Sequence, residues 1–202
     1  MSARISLIHR GNVYVDKPVL QPLSAFGLTA PTILQIGPCR IVERLDMVLA
    51  SVATRRGRAG DLASAARALG MALPDPARAA TGDPFSAFWV APDMWFVEAP
   101  FAGFEDIAVH LKTALGDTAS ITEQTDAWVR LDLTAHSLTP LMERLSNVDL
   151  AAVPVGYASR TVIDHLGCYL VKRAETEVTI YGPRSSAKSL LHALEIAAIS
   201  VS

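Results

Sequence analysis

Charge is scarce in this chain. Asp, Glu, Lys and Arg make up 19% of its 202 residues, against about 25% in an ordinary soluble domain. Half of the residues are hydrophobic and the mean hydropathy is +0.30. A core is easily built from such a chain, and apolar surface is left over once that core is filled. Surface of this kind belongs against a partner, although an Ala- and Leu-rich composition alone produces similar figures. An excess of either sign is also missing: the net charge is −2 and the pI is near 6.2. That removes the long-range pull on a polyanion and excludes nucleic acid from the expected partners. The two cysteines, Cys39 and Cys168, have no C-x-x-C spacing, which excludes a zinc knuckle or a disulfide framework and leaves free, buried thiols in a reducing compartment. No apolar run is long enough to span a bilayer, and Met1 to Arg10 lack the apolar stretch of a signal peptide. The expectation is a cytoplasmic protein with no membrane partner.

Catalytic signatures are missing too. The sequence contains no G-x-S-x-G elbow, H-E-x-x-H pair or G-x-x-x-x-G-K-[ST] loop. It also lacks the G-x-G-x-x-G fingerprint of a dinucleotide-binding domain. His9, His110, His136, His165 and His192 are scattered, with no two at i, i+4 on a predicted helix, so a metal site has no local support. His165 lies beside Asp164 in a predicted strand and makes a weak acid–base pair at best. Each histidine reads more readily as a surface or partly buried polar residue. No catalytic, cofactor-binding or metal-binding residue is assigned.

What is present is a pattern of elements. Residues 1–44 form an N-terminal arm punctuated by Gly11, Pro18, Pro22, Gly27 and Pro31, with a short strand at Ile33 to Ile36 before Gly37-Pro38. Residues 45–125 carry a strand around Met47 to Val52, a helix on Leu62, Ala65, Ala66 and Leu69, and an aromatic hairpin from Phe88 to Val97. A helix on Ile107, Leu111 and Leu115 follows, then a strand near Ala119 to Thr122. That order is β-α-β-β-α-β, the split unit of ferredoxin-like folds. Residues 126–202 repeat it, with a strand at Trp128 to Leu133, a helix on Leu138 to Leu145, three further strands and a final helix on Leu190 to Ile196. The fold expected is α+β, a duplicated ferredoxin-like unit with antiparallel sheets, the two halves forming one compact unit.

Two electropositive spots stand out. Arg55, Arg56 and Arg58 surround Gly57 at a strand-to-helix junction, where guanidiniums and backbone amides can together hold an anion or a partner's carboxylates; a solvated turn is the equal alternative. Arg184 opens the last helix beside Ser185 and Ser186, which read as capping residues in a solvated turn.

The same stretches carry a resemblance to the gamma subunit of heterotetrameric sarcosine oxidase. Thr54-Arg55-Arg56-Gly57-Arg58 with the following helix and Gly70 to Pro74 resembles that family's opening block. Trp89, Pro92, Asp93 and Trp95 match its Trp-x-x-Pro-Asp-x-Trp pattern. Glu123-Gln124-Thr125-Asp126-Ala127-Trp128 is similar to its Asp-Gln-Ser-Asp-x-Trp segment, and Asp149-Leu150 and Pro183-Arg184-Ser185 follow in order. Glu123 stands where the family prefers Asp, Arg160 where Gln is common, and Ser186 where an aromatic is usual. The resemblance implies a non-catalytic chain among alpha, beta and delta partner subunits, with FAD, FMN, NAD and tetrahydrofolate on those partners. The assembly would oxidatively demethylate sarcosine to glycine. It also implies a distant likeness to the folate-binding fold of aminomethyltransferases. The candidate partner interface is Arg55, Arg56, Arg58, Trp95 and Arg184. A stand-alone folate-binding or one-carbon-transfer protein is the alternative, with Asp126 and Glu123 as its carboxylates. A structural homodimer is a third reading.

Overall fold

The structure, a computed structural model, describes residues 22–202. Gly11, Pro18 and His9 lie outside the described residues. The chain folds into two antiparallel sheets packed face to face, each with helices on its outer side.

The first sheet is built from β3 (Met47–Thr54), β4 (Ala79–Ala80), β5 (Ser86–Ala91), β6 (Met94–Pro100) and β7 (Ala119–Glu123), in the order β4-β5-β6-β3-β7. Helices α1 (Ala59–Ala68) and α3 (Ile107–Leu115) cover it, and a short kinked turn, α2 (Phe101–Phe104), precedes α3. The second sheet holds β1 (Ile33–Ile36), β2 (Cys39–Glu43), β8 (Trp128–Thr134), β9 (Ala158–Ile163), β10 (Leu166–Ala174) and β11 (Glu177–Pro183). Its order is β1-β2-β8-β11-β10-β9, and α4 (Thr139–Leu145) and α5 (Ala187–Ser200) cover it.

Side-chain alternation explains the layers, because successive residues of a strand face opposite ways. In β3, Val48, Ala50 and Val52 join the core beneath α1 and α3, while Leu49 faces the other sheet. In β8, Val129, Leu131 and Leu133 face α4 and α5, and Trp128 packs in the seam between the sheets. Phe88 is the hub of that seam. It is fully buried, its ring stacked 5.1 Å from Tyr181 and edge-on to Phe96 at 5.5 Å. Sheets covered on both faces account for strands such as β3, apolar over nearly their whole length.

The duplication is real in topology, but its second copy is completed differently. In the first half β7 follows α3 and pairs with the opening strand β3. In the second half the equivalent place beside the opening strand β8 is taken by β2, from before the first half. The hairpin Ile33–Glu43 is therefore part of the second sheet rather than part of an arm. Cys39, Ile41 and Glu43 are buried there, and Gly37, with φ of +51°, makes its tight turn. Backbone hydrogen bonds also join the halves near β4 and β9: Ala79 N–H donates to the Gly156 carbonyl at 2.7 Å, and Ala158 N–H to that of Ala77 at 3.1 Å.

One further expectation is corrected. Asp164 and His165 are not strand residues; they form the turn between β9 and β10, both with positive φ (46° and 67°). That conformation matches the two-residue turn that continues the strands' right-handed twist. His165 has no hydrogen bond to Asp164 there.

Candidate functional site

Strand β3 organises two places of interest, one at each end. At its Thr54 end the chain enters the arginine turn. Thr54 N–H donates to the Asp93 carbonyl at 2.9 Å, tying the turn to the tip of the β5–β6 hairpin. Arg55 N–H donates to Thr118 O at 3.0 Å, and Arg58 N–H closes back on Arg55 O at 2.9 Å. Gly57 sits at φ +76°, a region that side chains strongly disfavour. Arg58 locks the turn through Asp61 (2.7 Å) and Asp117 (2.9 Å). Arg55 and Arg56 are exposed, and among the described residues neither has a carboxylate within ion-pair distance. The turn is thus braced by one guanidinium and presents two others to solvent.

The five candidate interface residues do not form one cluster. Trp95, paired across the hairpin with Trp89, packs on the helix side of the first sheet and donates its indole N–H to Pro74 O at 2.8 Å. Arg184 belongs to the opposite end of β3. Its backbone N–H donates to Ala127 O at 3.0 Å and its guanidinium to Leu23 O at 2.7 Å, with Asp126 at 3.7 Å.

The Glu123–Trp128 segment proves to be a structural knot. Glu123 Oε2 accepts the Ala108 N–H in the first turn of α3 at 3.2 Å, where the helix dipole favours a carboxylate. Its other oxygen accepts from the Thr125 amide and hydroxyl. The Leu49 N–H donates to Thr125 Oγ1 at 2.9 Å, and the Trp128 indole donates to Gln124 Oε1 at 3.2 Å. Asp126 points outward, its side chain 92% exposed.

A buried ionic network, missed by the sequence reading, lies in the seam. Glu98 accepts from Arg130 at 2.9 Å, from Arg173 at 2.8 Å and from the Tyr181 hydroxyl. Asp132 accepts from Arg130 (3.0 Å), Arg44 (3.1 Å) and Thr179 (2.7 Å). Arg44 in turn holds Asp46 at 2.6 Å, and this hydrogen bond keeps the Asp46 carboxyl below its usual range. One sign pointed to it: Arg130 and Asp132 alternate with Val129, Leu131 and Leu133, so they share a face of a strand whose other face is core. Each charged group of the network has a partner of opposite sign.

Beside this network, at the Met47 end of β3, is a cavity of about 360 Å³ bounded by both sheets and the Pro22–Thr29 segment. Among the described residues no group of three or more His, Cys, Asp or Glu is placed to hold a metal ion. No helix among them is long and apolar enough to cross a membrane.

Neither a protein-family model nor a curated protein matches the sequence. Solved structures do match in fold. The aminomethyltransferase T of the glycine cleavage system from Bartonella henselae superposes with a TM-score of 0.56 at 14% identity, covering 75% of this chain and 44% of that one. The chain therefore spans less than half of that enzyme. A chain of the heterotetrameric sarcosine oxidase from Corynebacterium sp. U-96, solved in complex with pyrrole 2-carboxylate, superposes with a TM-score of 0.70 at 18% identity, covering 83% of this chain and 87% of that one. The fold of this protein is the fold of a chain of heterotetrameric sarcosine oxidase.

Proposed function

We propose that this chain is a non-catalytic, gamma-type subunit of a heterotetrameric sarcosine oxidase, serving the assembly of a flavoenzyme that oxidatively demethylates sarcosine to glycine. The observation that carries the proposal is the match of fold over 83% of this chain and 87% of that one. Motif order supports it, because the Arg55–Arg58 turn and the Pro92-Asp93 hairpin tip, distant in sequence, are joined by the Thr54–Asp93 hydrogen bond. The partners are the alpha, beta and delta subunits, in the cytoplasm, with FAD, FMN, NAD and tetrahydrofolate held by them. Arg55 and Arg56 are the contacts that choose the partner, since a planar guanidinium pairs bidentately with a carboxylate in one orientation. Arg58 braces their turn, and Trp95 and Arg184 hold the neighbouring loops in place.

The folate-binding alternative draws less support. A pterin needs a carboxylate facing it inside a pocket. Glu123 is occupied by α3 and Thr125, and Asp126, at the rim of the cavity, is 92% exposed and paired with Arg184 at 3.7 Å.

Co-expression with the flavin-bearing subunits tests the proposal. A stoichiometric complex that oxidises sarcosine, and a separately purified chain that is colourless and produces no peroxide from sarcosine, are the expected results. Bound flavin or turnover on the isolated chain would contradict it.

A further inference from the structure

We propose that the cavity at the Met47 end of the seam binds a small hydrophobic monocarboxylate, with Arg184 as its anchor. The inference is independent of the subunit reading. At about 360 Å³ the cavity falls within the range of small-molecule sites. Leu23, Met47, Phe101 and Trp128 give it a largely hydrocarbon wall with two aromatic rings. The body of the ligand is therefore apolar, of the size of one or two rings.

Charge balance decides the rest. Most polar groups on the wall already have partners. The two oxygens of Glu43 accept the Ala25 and Thr32 amides at 2.9 and 3.0 Å. Arg44 is held by Asp46 and Asp132, and Arg130 by Glu98 and Asp132. Tyr181 donates to Glu98, and Thr125 is bound to Glu123 and Leu49. Arg184 differs. Among the described residues its guanidinium makes one hydrogen bond, to Leu23 O, and one long ion pair, at 3.7 Å, with the 92% exposed Asp126. Donors of a planar fork remain available at the edge of an apolar hollow, which is the geometry that recognises a carboxylate. A neutral ligand would leave those donors without an acceptor. A dicarboxylate would bring a second charge with no free cation to meet it among the described residues, because Arg44 and Arg130 are already paired.

The experiment is a titration of the full-length chain, followed by calorimetry and by ligand-observed NMR, with sodium phenylacetate as probe and phenylacetamide as its neutral isostere. Saturable binding of phenylacetate is expected, at least roughly tenfold tighter than the amide, as befits one charge-assisted pair. Arg184→Gln should abolish that preference while leaving the circular dichroism spectrum unchanged. Asp126→Asn, which removes the competing carboxylate, should hold or improve the affinity. Acid and amide binding equally well would overturn the assignment, and that comparison needs no variant to fold. So would an Arg184→Gln protein that keeps the preference, or no saturation by phenylacetate up to roughly 10 mM, ten times the weak end of specific affinities.

Discussion

Arginines occur in two contrasting settings in this molecule. In the seam, Arg130 and Arg173 converge on Glu98, whose side chain is 2% exposed while theirs are 14% and 16%. In the turn after β3, Arg55 and Arg56 stand in solvent, with Arg58 alone engaged by Asp61 and Asp117. The same side chain is a structural part in one place and, in the proposed reading, a docking group in the other, and location decides which. A buried guanidinium must have its carboxylate, because an unpaired charge away from water is too costly. An exposed one tolerates having none. Apolar character leaves the seam no other way to hold charge, and the turn's exposure leaves its cations available to another chain.

The sharpest way to break this contrast is to remove Glu98. Glu98→Ala leaves Arg173 without a carboxylate in the seam and Arg130 with Asp132 alone, and should cost about 3–5 kcal/mol, read as a lower midpoint in urea unfolding. Replacing Glu98 and Arg173 together, with Glu98→Leu and Arg173→Met, leaves Arg130 on Asp132 and should recover much of that loss, since well-packed apolar side chains often replace a buried ion pair at no net cost. A loss below about 1 kcal/mol for Glu98→Ala would mean that water reaches the seam and that the two settings do not differ in kind.

The knot at Glu123 is the next largest effect. Glu123→Ala removes the carboxylate at the first turn of α3 and the acceptor for Thr125, for an expected loss of about 1–2 kcal/mol. Glu123→Gln should recover part of it, because an amide oxygen still accepts the Ala108 N–H.

Titration gives a third comparison. Burial pushes the Cys168 thiol from 9.0 up to about 11. Between those values the unfolded chain loses the proton and the folded chain keeps it, so stability falls as pH rises through that window. Asp46, held down by Arg44, works in the other direction. Its contribution is present above the ordinary carboxylate value and is lost as pH falls. Cys168→Ala should flatten the alkaline decline in urea midpoint and leave the acid limb unchanged. An alkaline slope equal in the variant would assign the decline to other groups.

Much of this architecture was legible in the sequence because its signals are local. Leu62 and Ala66 mark α1 by helical spacing, and the alternation of Trp128 to Leu133 marks β8. Glycine stops at Gly70 and Gly116 end their helices with positive φ. Non-local facts were not legible. Strand β2 is five residues long and contains Arg40 and Glu43, and its partner β8 lies some 90 positions away. Nothing local distinguishes such a segment from an arm. The Glu98–Arg130–Arg173 cluster was hidden for the same reason, since its members come from three strands in different halves. The arginine turn was visible as composition, but only the structure separates braced Arg58 from exposed Arg55 and Arg56.

That separation yields the smallest expected effect on stability and the most direct test of the docking role. Arg55→Ala with Arg56→Ala breaks no side-chain hydrogen bond or ion pair among the described residues, so the urea midpoint should correspond to a change within about 0.5 kcal/mol. The backbone bonds from Thr54 and Arg55 and the Gly57 turn remain, and Arg58 still clamps Asp61 and Asp117. Arg58→Ala should instead loosen the turn, weakening association through lost pre-organisation while both docking arginines are still present. Capture of the flavin-bearing subunits by the co-expressed variants separates the two roles. A double variant that dissociates faster at both salt concentrations identifies Arg55 and Arg56 as desolvated partners of carboxylates, since salt screens buried pairs little. One that merely associates more slowly at low salt places them on the rim, where charge steers encounter without holding the complex. Wild-type yield and unchanged association and dissociation rates at both salt concentrations would leave the turn an ordinary solvated loop and remove it from the interface.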